Sequence, residues 1–263
     1  ESGRLSSDGM FKGEVDVGVS TMNSLYESFD RKDFKIICAT ETYYGKYKII
    51  CRKDKSILGP QDLKGKRIAT QKRGVDGWGT AMEHFLHQFL LKERIIEEDV
   101  EIVFLPLGEL LPALINGDID AFCARDPYIS QAKDKLKDNA TIFSIRDLAP
   151  IEVILTARNS FIQVHPYAIE KFIKGLIQAE DFAVEQPDEA MAIVADELGV
   201  DKSIIKSEWP DIYFNVCLPQ QMIVTLENFA RWAIKNVFNQ SKDMPNYLEY
   251  VYTEVLEKIN PER

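Results

Sequence analysis

RIATQKRGVDGWGTAMEHFL, residues 67–86, is the stretch whose reading decides the fold. A short β-type run, Arg67 to Thr70, leads into the basic pair Lys72 and Arg73, and Gly74, Gly77 and Gly79 follow within six residues. An amphipathic helix comes next, with Ala81, Met82, Phe85, Leu86, Phe89 and Leu90 on one face. Thr80 and Glu83 fit the S/T-x-x-E capping box, so the helix is predicted to start at Thr80. Free N–H groups at Gly77, Trp78 and Gly79 would then precede a helix start, a place suited to a carboxylate or sulfonate. Trp78 can supply an aromatic wall. A tight turn with Trp78 packed inward and Gly79 used for its backbone freedom accounts for the pattern equally well.

Two nucleotide chemistries are excluded. The glycine order is G-x-x-G-x-G, not the dinucleotide G-x-G-x-x-G, and no G-K-[S/T] is present.

Working outward, short runs rich in β-branched and aromatic residues alternate with helical patterns. They are Val15–Val19, Lys35–Thr40, Lys46–Lys53, Arg67–Thr70, Val100–Leu105, Asp118–Ala124 and Thr141–Ile145. Alternation of this kind predicts an α/β protein with a parallel or mixed sheet covered by helices. After the strand-like PIEVILTA (150–157) the chain turns helical. Ile169, Phe172, Ile173, Leu176, Ile177 and Ala183 form one stripe; Met222, Ile223, Leu226, Phe229, Ala230 and Val237 form another. PDEAMAIVADELG supplies a helix opened by Pro187 and Asp188 and closed by Gly199.

A net charge of −10 argues against a nucleic-acid binder that works by phosphate neutralisation. No apolar run approaches the roughly 18 residues that a membrane span requires. Residues 46–73 hold ten Lys or Arg against two Asp, net +8. That run reads either as a solvated basic face or as a positive cleft wall that attracts an anion. Cys38, Cys51, Cys123 and Cys217 lie apart in apolar runs and read as buried small hydrophobes. His84 and His87 stand three apart on a helix with no third ligand indicated, so a polar helix face is preferred to a metal site. His165 precedes Pro166 and reads as a capping-region residue. No catalytic motif is present, and no metal or cofactor is predicted.

Three segments in order, FKGEVDVGVST (11–21), SILGPQDLKGKRIAT (56–70) and ALINGDIDAFCARDPY (113–128), carry a resemblance. They resemble the nitrate, sulfonate, taurine and thiamine-precursor group of substrate-binding proteins serving ABC importers. The resemblance implies a type II periplasmic binding fold: two α/β lobes with a ligand cleft between them. Carried onto this chain, lobe 1 would be residues 1–54 plus 149–263, and lobe 2 residues 55–148. The implied ligand contacts are Ser20, Thr21, Thr40, Glu41 and Thr42 on one lobe. On the other they are Gly77, Trp78, Gly79 and Thr80, with Arg125, Asp126 and Tyr128. Arg125 suits a bidentate contact to a carboxylate or sulfonate, or else a structural pair with Asp126. Asp126 before Pro127 fits a helix cap equally well. Asp16, Asp118 and Asp120 read as turn and packing residues.

Relatives often carry an aromatic residue where Arg125 stands. The family also begins with a βαβ unit ahead of the GEVDVG segment that this sequence does not contain. Another segment or another copy of the chain is therefore expected to cover the exposed sheet edge. The implied function is capture of a small anionic or zwitterionic solute for an importer permease. The setting would be periplasmic, or extracellular and membrane-anchored, with the leader outside this sequence. The protein would be a monomer by default, with self-association if the first lobe is incomplete. The alternatives are an enzyme of thiamine-pyrimidine or small-acid metabolism on the same fold, and the sensing module of a receptor.

Overall fold

The computed structural model describes residues 3–21, 31–71, 78–144, 148, 150–237 and 242–261. In chain order the strands are β1 (Val17–Thr21), β2 (Phe34–Tyr43), β3 (Lys48–Arg52), β4 (Arg67–Gln71), β5 (Glu101–Leu105), β6 (Ala121–Ala124), β7 (Ala140–Phe143), β8 (Ile151–Arg158) and β9 (Ile212–Cys217). The α-helices are α1 (Gly3–Lys12), α2 (Trp78–Lys92), α3 (Leu110–Asn116), α4 (Tyr128–Leu136), α5 (Asn159–Val164), α6 (Pro166–Glu185), α7 (Pro187–Leu198), α8 (Lys202–Glu208), α9 (Gln220–Asn236) and α10 (Glu254–Ile259). Two compact units result: Glu1–Tyr43 with Ile151–Arg263, and Tyr44–Pro150.

Unit 1 is built on a four-stranded sheet of order β1-β8-β2-β9 in which every neighbouring pair is antiparallel. β1 and β2 therefore run the same way with β8 between them. The two central strands, β8 and β2, are buried on both faces over most of their length, which explains their long apolar runs. One face packs Ile36, Ala39 and Ile154 against Met10 of α1 and Met222 and Leu226 of α9. The other packs Ile37, Leu155 and Val216 against Ile169 and Ile173 of α6. Phe172, expected in the α6 stripe, is 48% exposed. It sits at the edge of the stripe, where a helix face turns out of the core. β1 ends the sheet, and α1 lies along it: the Val19 N–H donates to Ser6 Oγ at 2.9 Å.

Unit 2 carries a five-stranded mixed sheet of order β5-β4-β6-β3-β7. β5, β4 and β6 are parallel, and β3 runs antiparallel to both β6 and β7. Ala81, Met82, Phe85, Leu86, Phe89 and Leu90 of α2 are all buried. On the opposite face, Ile50, Ala69 and Phe122 pack against Leu110 and Leu114 of α3 and Ile129 of α4.

The first unit boundary falls at Tyr43/Tyr44, about ten residues before the expected Asp54/Lys55. Among the described residues β3 ladders with β6 and β7 of unit 2, so it goes with that unit. The return falls after Pro150, two residues beyond the expected Leu148. α2 begins at Trp78, so Thr80 is its third residue and not its cap. Neither α1 nor β9 was predicted. Gly74, Gly77 and Ile145 lie outside the described residues.

Asp120 ties the unit 2 sheet together. Its Oδ2 accepts the Arg67 backbone N–H at 2.9 Å, and its Oδ1 accepts from the Arg67 guanidinium at 3.2 Å. Burial alone would raise its pKa; the Arg67 N–H, the Arg67 guanidinium and the Lys55 charge together hold it below the usual carboxylate range. Asp120→Ala leaves that N–H without its acceptor. It is expected to cost about 2 kcal/mol, measured by urea denaturation at pH 7. A loss below about 0.5 kcal/mol would show that Asp120 is not an anchor.

Candidate functional site

In unit 1 the parallel strands β1 and β2 end at the same edge where β8 begins. The register aligns Thr21, Val153 and Glu41 in one row, and Ser20, Ile154 and Ala39 in the next. Five of the expected residues, Ser20, Thr21, Thr40, Glu41 and Thr42, thus meet at one sheet edge. A bulge between Ala39 and Glu41 gives Thr40 its extra place in β2. Thr40 is buried, and its Oγ1 donates to Glu41 Oε2 at 2.5 Å. Ser20 is also buried, with Oγ 3.4 Å from the Thr21 carbonyl.

In unit 2 the parallel strands β4 and β6 end at Gln71 and Ala124, and antiparallel β3 starts beside them at Lys48. Ligands of open α/β sheets favour this carboxyl edge. α2 starts there too. A helix leaves the N–H groups of its first turn without intrahelical acceptors, here Trp78, Gly79 and Thr80. Gly77 lies outside the described residues, as do the side chains of Trp78 and Thr80.

Two buried hydroxyls at this edge escaped the sequence reading. Tyr47 is 2% exposed and Thr70 0%, and neither Tyr47 Oη nor Thr70 Oγ1 has a hydrogen-bond partner among the described residues. Both face α2. The Tyr47 ring lies 5.7 Å from that of Phe85, and Thr70 follows Ala69, the register partner of Phe122, so alternation turns it to the face opposite Ala69, which packs against α3 and α4. Burial pushes the Tyr47 phenol up, partly offset by the nearby Arg125 charge. Thr70 obeys the strand-end rule that picked out Thr40, and that rule would have found it. Tyr47 carries no such signal, because KYKIICRK reads only as a strand. Tyr47→Phe is expected to change the stability of the unliganded protein by less than about 1 kcal/mol, since the hydroxyl it removes has no partner to lose. Thermal unfolding checks this, and a loss above about 2 kcal/mol would reveal a structural partner.

Arg125 is half-buried, and its guanidinium donates to the Asp126 backbone carbonyl at 3.4 Å, not to the Asp126 carboxylate. That carboxylate is engaged elsewhere. It accepts from the Ser130 N–H at 3.1 Å and Oγ at 2.6 Å, and pairs with Lys48 Nζ at 3.3 Å. Asp126 therefore behaves as a cap of α4, whose first residue is Tyr128. Tyr128 packs against the unit 2 core.

Glu152 was also missed. It is the second residue of β8, lies opposite Thr42, and is 4% exposed. Burial pushes its carboxyl up to about 7.

The basic run resolves into ion pairs away from this edge. Arg52 pairs with Asp54, Lys64 with Asp99 and Arg67 with Asp120, all at the opposite end of β3 and β4. Of the described members, Lys46 and Lys48 stand where β3 opens, at the carboxyl edge. Lys72 and Arg73 lie outside the described residues.

His84 is not on a polar helix face. It is 7% exposed, and burial lowers its pKa to about 3, so the ring is neutral. His87 contacts Glu97, and His165 joins α5 to α6, its ring 5.0 Å from Phe161. Among the described residues no group of three His, Cys, Asp or Glu could hold a metal ion. All four cysteines are buried thiols, as expected. Burial pushes the Cys38 thiol up to about 12, with Cys217 and Glu41 adding to it, and burial also raises Cys51 and Cys123. No helix of the described residues is long and apolar enough to cross a membrane.

Comparison with known proteins identifies the fold and the family. A candidate aliphatic sulfonates-binding protein of Bacillus subtilis is 28% identical over 178 residues, 66% of this chain and 51% of that protein. The chain spans about half the length of the curated relatives it matches first. The crystal structure of the periplasmic aliphatic sulphonate binding protein SsuA from Escherichia coli superimposes with a TM-score of 0.75 at 15% identity, covering 97% of this chain and 85% of that one. A mutant of DSZB in complex with biphenyl-2-sulfinic acid shares the fold at a TM-score of 0.70 and 15% identity, covering 100% of this chain and 90% of that one. The fold is thus the two-lobed α/β fold of periplasmic binding proteins. The NMT1/THI5-like profile matches residues 5–190, and this chain belongs to that family.

Proposed function

We propose that the protein captures a small anionic or zwitterionic organic solute outside the cytoplasm and presents it to an ABC importer permease. The observation that carries this reading is the carboxyl edge of unit 2. Two buried hydroxyls without a hydrogen-bond partner among the described residues, Tyr47 and Thr70, lie at this edge, and the Arg125 charge acts on the Tyr47 phenol. Buried polar atoms without partners call for a ligand or water to complete them. Together these groups donate hydrogen bonds and positive charge, which suits an acidic head group. Ser20, Thr21, Thr40 and Thr42 supply hydroxyls of either hydrogen-bonding sense from unit 1. Asp126 and Tyr128, already engaged in capping and packing, are left out of the contact set. Capture of this kind is binding alone, and no bond changes.

The sulfonate-binding relative supports capture over catalysis. An enzyme that used a thiol would need an accessible thiolate, and burial keeps Cys38, Cys51 and Cys123 protonated.

Thermal-shift screening with sulfonates, dicarboxylates, amino acids and pyrimidines tests the proposal. A ligand at 100 times its Kd is expected to add about 2.7 kcal/mol. Arg125→Ala is expected to weaken the hit at least tenfold by calorimetry, about 1.4 kcal/mol. Unchanged affinity would move the site elsewhere, and conversion of the hit to product would overturn the transport reading.

A further inference from the structure

The turn that follows β6 divides its side chains between the two faces of the unit 2 sheet. Ala124 packs with Ile129 and Ala132 of α4, and Lys48, its register partner, shares that face. Asp126 works on the same side. Its Oδ1 accepts the Ser130 N–H at 3.1 Å and the Ser130 hydroxyl at 2.6 Å, and its Oδ2 pairs with Lys48 Nζ at 3.3 Å. Burial alone would raise the Asp126 carboxyl; Ser130 and Lys48 outweigh it and hold the group below the usual carboxylate range. Hydrogen bonds to an ionised carboxylate are among the stronger ones, so this is a firm anchor.

Arg125 goes the other way. Alternation from Ala124 turns its side chain toward the α2 face, where its charge acts on the Tyr47 phenol. Its Nε lies buried, and its Nη1 donates to the Asp126 carbonyl at 3.4 Å. That carbonyl belongs to the residue whose carboxylate is tied down on the opposite face. Asp126 thus grips Arg125 through its main chain while Ser130 and Lys48 grip Asp126. A long side chain binds a solute more tightly when its freedom is already lost before the solute arrives.

We propose that Asp126 is a positioning residue for solute capture: anchored by Ser130 and Lys48, it fixes the Arg125 guanidinium at the carboxyl edge of unit 2 before a solute binds. The inference rests on the reading of Arg125 as a solute contact and adds the residues that preorganise it. Loss of the anchor leaves the Arg125 charge in the chain, so its cost falls on the order of the guanidinium and, through that, on affinity.

Two readouts on the full chain test this. The first needs no solute: hydrogen exchange of the Arg125 Nε–H, followed by proton–nitrogen correlation spectroscopy and assigned by its loss in Arg125→Lys. Asp126→Ala is expected to speed that exchange about tenfold, while Asp126→Asn, which keeps an acceptor for Ser130, holds it within about threefold of native. Ser130→Ala, expected to speed it about threefold, is the milder variant should Asp126→Ala fail to fold. The second readout is calorimetric titration with propanesulfonate and with succinate. Asp126→Ala is expected to weaken a probe that binds by about fivefold or more. Unchanged exchange in every variant that folds overturns the inference, as does faster exchange with unaltered affinity. A rise shared by the backbone amides of β4 and β6 would mark a general loosening of unit 2 and overturn it too. Faster exchange confined to Arg125, in a native protein that binds neither probe, upholds the positioning and counts against capture of these two acid classes.

Discussion

Glu152→Gln is expected to make the unliganded protein more stable than the native one at pH 8, by up to about 3 kcal/mol. The carboxyl is desolvated, and its pKa rises from 4.5 to about 7 on folding. Between those values the folded state holds a proton that the unfolded state has released. Native stability therefore falls as pH rises through this window and levels off above pH 7. Below pH 4.5 both states are protonated and the term vanishes. Gln has the same shape and no charge to desolvate, so the variant loses this slope. Asp120 and Asp126, both held below the usual carboxylate range, act at lower pH: they give stability that is lost as pH falls below the ordinary carboxylate value. The difference between variant and native isolates residue 152. Urea denaturation at pH 4, 6 and 8 should give a gap near zero at pH 4 that widens to its full value at pH 8. A gap independent of pH would mean that Glu152 has a partner in the folded protein.

Phe122→Ala should cost more, about 3–5 kcal/mol. Phe122 is fully buried on β6, between Ile50 of β3 and Ala69 of β4, and its ring fills the space under α3 and α4. Truncation removes apolar burial and leaves a cavity that two helices and three strands cannot close without moving. Phe122→Leu, which keeps most of the volume, is expected to cost under about 1.5 kcal/mol. As a control, Leu91→Ala on the exposed side of α2, where residue 91 is 63% exposed, should change stability by less than about 0.5 kcal/mol. Amide exchange in unit 2 reads the result directly. Protection of β3, β4 and β6 that survives Phe122→Ala would mean this ring is not central to that core.

Periodicity made most of the strands legible, because alternation and β-branched runs report burial directly. β9, sequence IYFNVC, escaped because it stands among helices and only pairing with β2 reveals it. α1 escaped because GRLSSDGMFK carries two glycines and few apolar residues, and it is held by packing on β1 more than by propensity. At the candidate site, hydroxyls at strand ends could be named from sequence. Tyr47 and Glu152 could not, since what sets them apart is the lack of a partner after burial, and burial is decided by segments far away in the chain. His84 is the same lesson in reverse. A polar residue type suggested the surface, and its turn on α2 put it inside.

The strand order of unit 1 also constrains how the chain can be made. β8 occupies the slot between β1 and β2, and all of unit 2 is encoded between β2 and β8. On the ribosome, β1 and β2 must therefore wait as unmatched strands while more than a hundred residues, Tyr44–Pro150, emerge and collapse on their own. The contiguous insert can mature early, whereas the split unit gains its central strand late. This vectorial delay makes unit 1 the half most in need of protection during biogenesis.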